Sequence, residues 1–242
     1  MKRIVFLTGA GMSAESGIST FRDSDGLWEN YSVEEVCTHD AWVRQPGVLL
    51  DFYNMLRRKF KDCKPNEGHR LVAALEEKYD VQVITQNVDN LHEQAGSKHV
   101  LHLHGELMKC RAEGRDNGIH YPLDPENPDI HLGDVDSHGV QLRPHIVFFG
   151  EDVPNLEAAA RIMTTAEIVV VIGTSLNVYP AAGLLQYAPA NVPIWLIDPK
   201  PVSSYRAVTQ IQKGASEGMK EVYSCLDNLS QANCSYLVPG RP

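Results

Sequence analysis

The chain has 242 residues and a formal net charge of −9 at pH 7, and 43% of its residues are hydrophobic. This length suits one large domain, or a domain with a smaller module, and the apolar content allows a sizeable core. No run of Lys or Arg indicates a nucleic-acid surface, and no apolar stretch is long enough to cross a membrane. The five cysteines are odd in number, widely spaced and without a C-x-x-C pair, which predicts reduced thiols in a cytoplasmic protein.

Apolar runs of strand length recur along the chain, and patterns with helical spacing lie between them. The predicted strands are Ile4–Leu7, Val81–Thr85, Val100–Leu103, Ile146–Phe149, Ile168–Ile172 and Ile194–Ile197. The predicted helices are Pro46–Lys61, Pro65–Lys78, Leu156–Ala166 and Ser216–Leu226. This alternation predicts an α/β fold, a doubly wound, mostly parallel Rossmann-like sheet with a smaller inserted module.

The expected organisation is a single catalytic domain over 1–242. Its Rossmann-like core would comprise 1–30, 80–107 and 145–230. The small module would come from two insertions, 31–79 and 108–144, the second of which is rich in Gly, Pro, Asp and His.

A glycine-rich turn follows the first predicted strand. The residues Gly9-Ala10-Gly11-Met12-Ser13-Ala14 fit the dinucleotide fingerprint G-x-G-x-x-G/A, and N–H groups at a helix start suit a pyrophosphate. A hydride-transfer dehydrogenase would reach a second strand ending in an acidic residue about 20 residues on. Here the chain breaks into Gly, Ser, Thr and Asp instead, which disfavours a dehydrogenase. A tight glycine turn without a ligand is an equally good interpretation of this motif alone.

Polar side chains follow three later strands, and ligands of parallel sheets bind beyond the carboxyl ends of strands. The first cluster exceeds what one helix cap needs and consists of Gln86, Asn87, Asp89, Asn90 and His92. The second is Gly173–Ser175, which suits either a ligand or a capped helix start. Asp198 follows another strand and suits either a ribose hydroxyl or a turn before Pro199.

Two histidines lie in the segment "LHLHGEL". Alternation along the predicted strand places His102 and His104 on the same face. His104 stands at the strand end, where an imidazole with a pKa near working pH could act as a general base. A structurally bonded histidine is the alternative.

Together, these segments resemble the sirtuins, which are NAD-dependent protein-lysine deacylases. "GAGMSAESGISTFR" resembles the family's GAGxSxxSGIPxFR, with Ser19 in place of the usual proline, and "TQNVDNLHEQAG" is similar to TQNIDxLHxxAG. "LHGEL", "LRPHIVFFGE" and "IGTSLNVYPAA" match further family motifs in the same order. The resemblance covers nearly the whole chain and is closest to bacterial members. It implies that NAD is a co-substrate cleaved at its glycosidic bond, with nicotinamide released and the acyl group transferred to ADP-ribose.

The resemblance also implies which residues bind NAD. Gly9, Ala10, Gly11 and Ser13 would hold the phosphates, and a loop with Phe21, Arg22 and Asp23 would close over the nucleotide. The nicotinamide pocket would be lined by Asn87, Val88 and Asp89, with Gln86 near the ribose. The adenosine side would be formed by Gly173, Thr174, Ser175 and Ala215, with Asp198 as a further candidate.

Catalysis and substrate binding are implied in the same way. His104 would take a proton from a ribose hydroxyl, and Asn87 would position the ribose or an ordered water. An acyl-lysine peptide or protein would lie as an added strand between two segments, Val147, Phe148, Phe149, Gly150 and Leu176, Asn177, Val178. Members that remove succinyl groups carry Tyr and Arg three residues apart. Here Tyr53 is followed by Leu56 at that spacing and by Arg57 one residue later, which favours uncharged acyl groups.

The sequence departs from the family at its structural zinc. Members usually carry two cysteine pairs between the HGE and FGE motifs, but here that interval contains only Cys110. His120, His131 and His138 lack short paired spacing, so we expect no zinc, with a rebuilt Cys/His site as the alternative. A desuccinylase, a mono-ADP-ribosyltransferase and a non-catalytic NAD-binding scaffold are the alternative functions.

Overall fold

The computed structural model describes residues 1–20, 31–114 and 118–229. Its main sheet has six parallel strands in the spatial order β3-β2-β1-β7-β8-β9. These strands are β1 Arg3–Thr8, β2 Asp80–Thr85, β3 Val100–His102, β7 Ile168–Ile172, β8 Ile194–Ile197 and β9 Thr209–Ile211. A smaller antiparallel sheet, in the order β5-β4-β6, contains β4 Gly105–Ala112, β5 Tyr121–Pro122 and β6 Leu142–Ile146. The predicted α/β fold with a smaller module is confirmed.

Seven α-helices lie in the described part of the chain. They are α1 Val33–Val36, α2 His39–Arg44, α3 Pro46–Phe60, α4 Glu67–Ala74, α5 Leu91–Ala95, α6 Leu156–Thr164 and α7 Ala215–Leu229. Short 3-10 helices cover Ala10–Met12, Ala14–Ser16, Leu75–Glu77 and Ala181–Tyr187. The four helices predicted from apolar spacing are therefore present, with shifted ends.

The main sheet separates two apolar clusters. Val5 and Leu7 of β1 face α6 and the 3-10 helix Ala181–Tyr187, whereas Ile4 and Phe6 face α4 and α7. Every residue of β7 is buried, because both faces of a doubly wound sheet are covered. This packing explains why the strands have continuous apolar sequences rather than alternating ones.

One predicted strand is not in the main sheet. The segment Ile146–Phe149 was expected there, but β6 ends at Ile146 and belongs to the antiparallel sheet. Ile146 and Phe148 are buried in a third cluster with α2 and α3, while Phe149 is exposed. This segment is therefore buried on one face only. A short apolar run in the sequence does not show whether a strand is buried on one face or on both.

One boundary of the small module differs from the organisation expected from the sequence. α4 packs on the main sheet, since Val72 and Leu75 share a cluster with Ile4 and Phe6. We therefore propose that 67–79 belongs to the core and that 31–66 and 108–144 form most of the module. None of the four described cysteines is in a disulfide. None of the helices in the described ranges has the length and apolarity needed to cross a membrane.

Candidate active site

Two glycine turns meet where β1 and β7 end. The N–H of Gly11 donates to the carbonyl of Gly173 at 2.9 Å, and a Cβ on Gly11 would lie 2.6 Å from the Gly173 Cα. Gly173 has a φ of +62°, and its own Cβ would lie 2.3 Å from the backbone N of Met12. Such distances leave no room for any side chain. The glycines therefore let two strand ends touch through backbone alone.

The strand order reverses at this contact. From β1 the chain continues to β2 and β3 on one side, and β7, β8 and β9 extend the other side. The β1–β2 connection packs α4 on one face, while the β7–β8 connection packs the 3-10 helix Ala181–Tyr187 on the opposite face. Ligands of open parallel sheets bind in the crevice at such a switch point. The turn after β1 leads into two single 3-10 turns and not into the full helix that a hydride-transfer dehydrogenase would have there.

Side chains from the end of β2 reach across this crevice. Asn87 donates from Nδ2 to the Gly9 carbonyl at 3.1 Å and to Ser13 Oγ at 3.2 Å. Ser13 Oγ in turn donates to the Asp89 carboxylate at 2.9 Å, and Gln86 Nε2 donates to Thr174 Oγ1 at 3.1 Å. Burial raises the pKa of Asp89, although hydrogen bonds from Leu91 and Ser13 oppose the rise. Three predicted segments thus form one bonded network.

His104 is held in one tautomer. Its Nδ1 lies 3.0 Å from the Gln86 carbonyl, and because a carbonyl only accepts, Nδ1 carries the proton. In the neutral ring, Nε2 is then unprotonated and can accept a proton. Burial lowers the pKa of His104 from its ordinary value of 6.5, against the opposing effect of the Gln86 bond. The ring is therefore neutral near pH 7, as a general base requires.

Two residues without a predicted role complete this network. Thr85 Oγ1 accepts from the N–H of Asn87 at 3.1 Å and from Thr8 Oγ1 at 2.9 Å. Thr8 Oγ1 also lies 3.2 Å from Nε2 of the buried His92. A threonine at the buried end of each of two apolar strands is the sequence signal that could have indicated them.

The predicted substrate segments differ in how they are exposed. Phe148 is buried, while Phe149 is 53% exposed and pairs through its backbone with Cys37 and His39. Val147 donates its N–H to the His104 carbonyl at 3.0 Å, which ties this segment to the base. In the other segment, Asn177 and Val178 are exposed, and Leu176 has a φ of +55°. A non-glycine residue in this conformation is strained and typical of a ligand site.

Other predicted residues have structural partners. Asp198 Oδ1 accepts from the Lys200 N–H at 2.9 Å, which is the turn cap that the sequence left as an alternative. Ala215 is buried at the start of α7 beside Gly68. Phe21, Arg22 and Asp23 lie outside the described residues.

Arg57 is turned into the small module. Its Nε donates to the Leu107 carbonyl at 2.8 Å and its Nη1 to Asn54 Oδ1 at 2.6 Å. Burial lowers its pKa to about 10, although the nearby Asp129 opposes that shift. Tyr53 and Leu56 are buried in the apolar cluster of the module. The guanidinium therefore joins α3 to β4, with only Nη2 buried and unpaired.

The residues considered for a rebuilt metal site do not come together. Within 1–20, 31–114 and 118–229, the one group of three or more suitable ligand atoms is Glu106, His120 and His145, within 4.8 Å of one another. Lys109 Nζ donates to Glu106 at 2.7 Å and lies 3.5 Å from His120 Nε2. The ammonium group of Lys109 thus already pairs with the carboxylate of this cluster.

Comparison with known proteins agrees with this geometry. The model of the Sir2 family matches residues 9–180, so the chain belongs to the Sir2 family, the sirtuins. An NAD-dependent protein deacylase of Bacteroides thetaiotaomicron is 54% identical over 230 residues, covering 93% of this chain and 98% of that protein. One from Helicobacter pylori is 46% identical over 224 residues, covering 92% and 96%. A Sir2 homologue solved with ADP-ribose has a TM-score of 0.84 and 34% identity, covering 97% of this chain and 95% of that one. The activity is NAD-dependent protein deacylation, with NAD as co-substrate and proteins as acyl donors.

The contact between the glycine turns gives a stability prediction. Gly173→Ala should lower the free energy of unfolding by about 2–5 kcal/mol, the sum of a left-handed alanine and a backbone displacement. Gly139→Ala is the control, because Gly139 also has a positive φ, of 76°, but nothing lies within 4 Å of the position that its Cβ would take. That variant should lose only about 1–2 kcal/mol. Urea unfolding measures both, and equal losses would contradict a role for close backbone packing.

Proposed function

We propose that this deacylase uses His104 as its general base and removes uncharged acyl groups, acetyl foremost, from lysine side chains of cytoplasmic proteins. The observation that carries the proposal is the fixed tautomer of His104, whose Nδ1 is bonded to Gln86 and whose Nε2 is unprotonated. Cys37, Cys63 and Cys110 are not in disulfides, which is consistent with a reducing compartment.

We propose that NAD binds in the crevice at the switch point of the sheet. We propose that the phosphates lie against the turn that contains Gly9 and Gly11, because these two residues have no side chains there. The N–H groups of Gly9, Gly11, Met12 and Ser13 already donate to backbone carbonyls. We assign Asn87, Val88 and Asp89 to the nicotinamide and Gln86 to the ribose. Gly173, Thr174 and Ser175 would lie on the adenosine side, with Ala215 behind them. Asp198 is a weaker candidate, because its carboxylate already caps a turn.

The chain's own groups supply orientation and a proton acceptor. NAD supplies the electrophilic ribose carbon that the acyl oxygen of lysine attacks. Asn87 would hold the ribose side of the bond that breaks, and His104 Nε2 would accept the proton of a ribose hydroxyl. Positioning of this kind contributes about 7–11 kcal/mol in favourable cases, and a general base contributes roughly 10²- to 10⁴-fold.

The role of His104 gives the first test. His104→Ala should lower turnover by about 10²- to 10⁴-fold, with NAD binding retained in calorimetry. In the parent protein, kcat/KM should fall as the pH drops below His104's lowered pKa, because the protonated ring cannot accept a proton. His99→Ala is the control, since His99 is exposed. Near-normal turnover of His104→Ala would refute the assignment.

The acyl preference depends on which side chains of α3 would lie beside the carboxylate of a succinyl group. Leu56 is buried among apolar groups and cannot pair with it, and two nitrogens of Arg57 are already bonded. A buried carboxylate without a partner loses its hydration, which costs several kcal/mol. The structure of this region therefore supports acetyl over succinyl.

Kinetics on acetyl- and succinyl-lysine versions of one peptide test this preference. We expect a higher kcat/KM for acetyl, and Leu56→Arg should shift the ratio toward succinyl by roughly tenfold or more, since a charge-assisted bond contributes about 1.5–3 kcal/mol. Leu56→Met is the uncharged control. A succinyl preference in the parent that collapses in Arg57→Met would show that Arg57 Nη2 binds the carboxylate.

We also propose that no zinc ion holds the small module together. The interval between Gly105 and Gly150 offers a single cysteine, Cys110, which lies in the apolar cluster of the module. Arg57 and Asn54 bond to the segments around Leu107 and Ile130 instead, and these bonds join parts of the module.

Metal analysis tests the proposed absence of zinc. Untagged protein should contain far less than one zinc ion per chain, and a chelator should leave the Tm unchanged, because metal affinity in a structural site is folding free energy. Stoichiometric zinc, lost together with the fold, would show that a site has been rebuilt.

A further inference from the structure

His102 lies at the end of β3, next to Asn87, the first of the three residues that we assign to the nicotinamide. Only 7% of the residue is exposed, and both ring nitrogens have partners. Nδ1 lies 2.9 Å from the Asn87 carbonyl, and Nε2 lies 2.8 Å from Glu93 Oε1. Because a carbonyl oxygen only accepts, Nδ1 must donate to Asn87. The ring is therefore a bridge between α5 and the loop after β2.

Asn87 is fixed at three points, and His102 provides one of them. The N–H of Asn87 donates to Thr85 Oγ1, and the side-chain amide of Asn87 donates to the Gly9 carbonyl and to Ser13 Oγ. The bond from His102 holds the remaining backbone group, the carbonyl. With both sides of the residue bonded, the plane of its peptide and the direction of its amide are set before NAD binds.

Both the backbone and the ring of His102 are hydrogen-bonded. Asn155 Nδ2, at the start of α6, donates to the His102 carbonyl at 2.8 Å. Burial lowers the pKa of His102, but the bonds to Glu93 and Asn87 outweigh this effect and leave the pKa raised above 6.5. A ring in this environment donates from both nitrogens when it is protonated.

We propose that His102 is a positioning residue, whose Nδ1–H holds the Asn87 carbonyl and so orients Asn87 for cleavage of nicotinamide. Glu93 orients the ring through Nε2. The inference rests on the role proposed above for Asn87. His102 reaches the reaction only through Asn87.

Two amide substitutions separate the two ring nitrogens. In His102→Asn the amide nitrogen can replace Nδ1 and still donate to Asn87, but it cannot reach Glu93. In His102→Gln the longer side chain can replace Nε2 and keep the Glu93 contact, but the donor to Asn87 is lost. The two variants thus remove one contact each while keeping a polar, uncharged side chain.

We expect His102→Gln to lower kcat for nicotinamide release by about 10- to 100-fold, the cost of a misplaced catalytic group. His102→Asn should stay within about threefold of the parent, with peptide KM unchanged in both. Tm values show whether each variant is folded. If His102 only stabilises the fold through Glu93, then His102→Asn is the more damaged variant, which would overturn the proposal.

Asn87→Ala, measured in parallel, separates the role of Asn87 from that of His102. A variant that releases nicotinamide normally would refute the role of Asn87 itself. If Asn87→Ala is impaired while both His102 variants act alike, Asn87 is needed but His102 does not position it. Glu93→Gln, which keeps a hydrogen-bonding group beside Nε2, should change kcat less than His102→Gln does.

Discussion

The backbone contact between the turns that follow β1 and β7 is the constraint on which the rest of the site depends. The bond from Gly11 to Gly173 joins the two strands at the point where the order of the sheet reverses. A side chain on either residue would separate the turns. The two turns thus meet at the switch point of the sheet, which is where open parallel sheets bind their ligands.

The polar side chains of the site are arranged outward from this contact. Asn87 bonds to the first turn through Gly9 and Ser13, while Gln86 bonds to the second through Thr174. The carbonyl of Gln86 then fixes the tautomer of His104. Because unmade bonds of buried polar groups cost about 1–3 kcal/mol each, the network stabilises one arrangement. The site is therefore organised before any substrate arrives.

The sheet could be predicted from sequence because its physical signal is strong. Strands buried on both faces must be apolar throughout, and Ile168–Ile172 is an unbroken example. The same signal gave the wrong sheet for Ile146–Phe149, since a run of four apolar residues does not show whether one face or two is covered. Chain order alone also could not show that α4 would pack on the main sheet.

The site was predictable as a set of segments, but its bonds were not. Polar residues after strands predicted that Asn87, Asp89 and His104 would lie at one edge of the sheet, because carboxyl ends of parallel strands meet there. Sequence could not show that Arg57 turns inward to the Leu107 carbonyl, or that Asp198 caps its own turn. Nor could it show His102 bonded to the Asn87 carbonyl, because that contact depends on how β3 is placed beside β2.

Release of nicotinamide, measured with and without an acetyl-lysine peptide, tests the central claim most directly. In the proposed mechanism, the acyl oxygen is the nucleophile that displaces nicotinamide, while side chains of the site orient it and accept a proton. We therefore expect nicotinamide, deacetylated peptide and acetyl-ADP-ribose in equal amounts when the peptide is present, and almost no nicotinamide without it. Release at the same rate in the absence of the peptide would contradict the claim and indicate that water or a protein side chain attacks NAD instead.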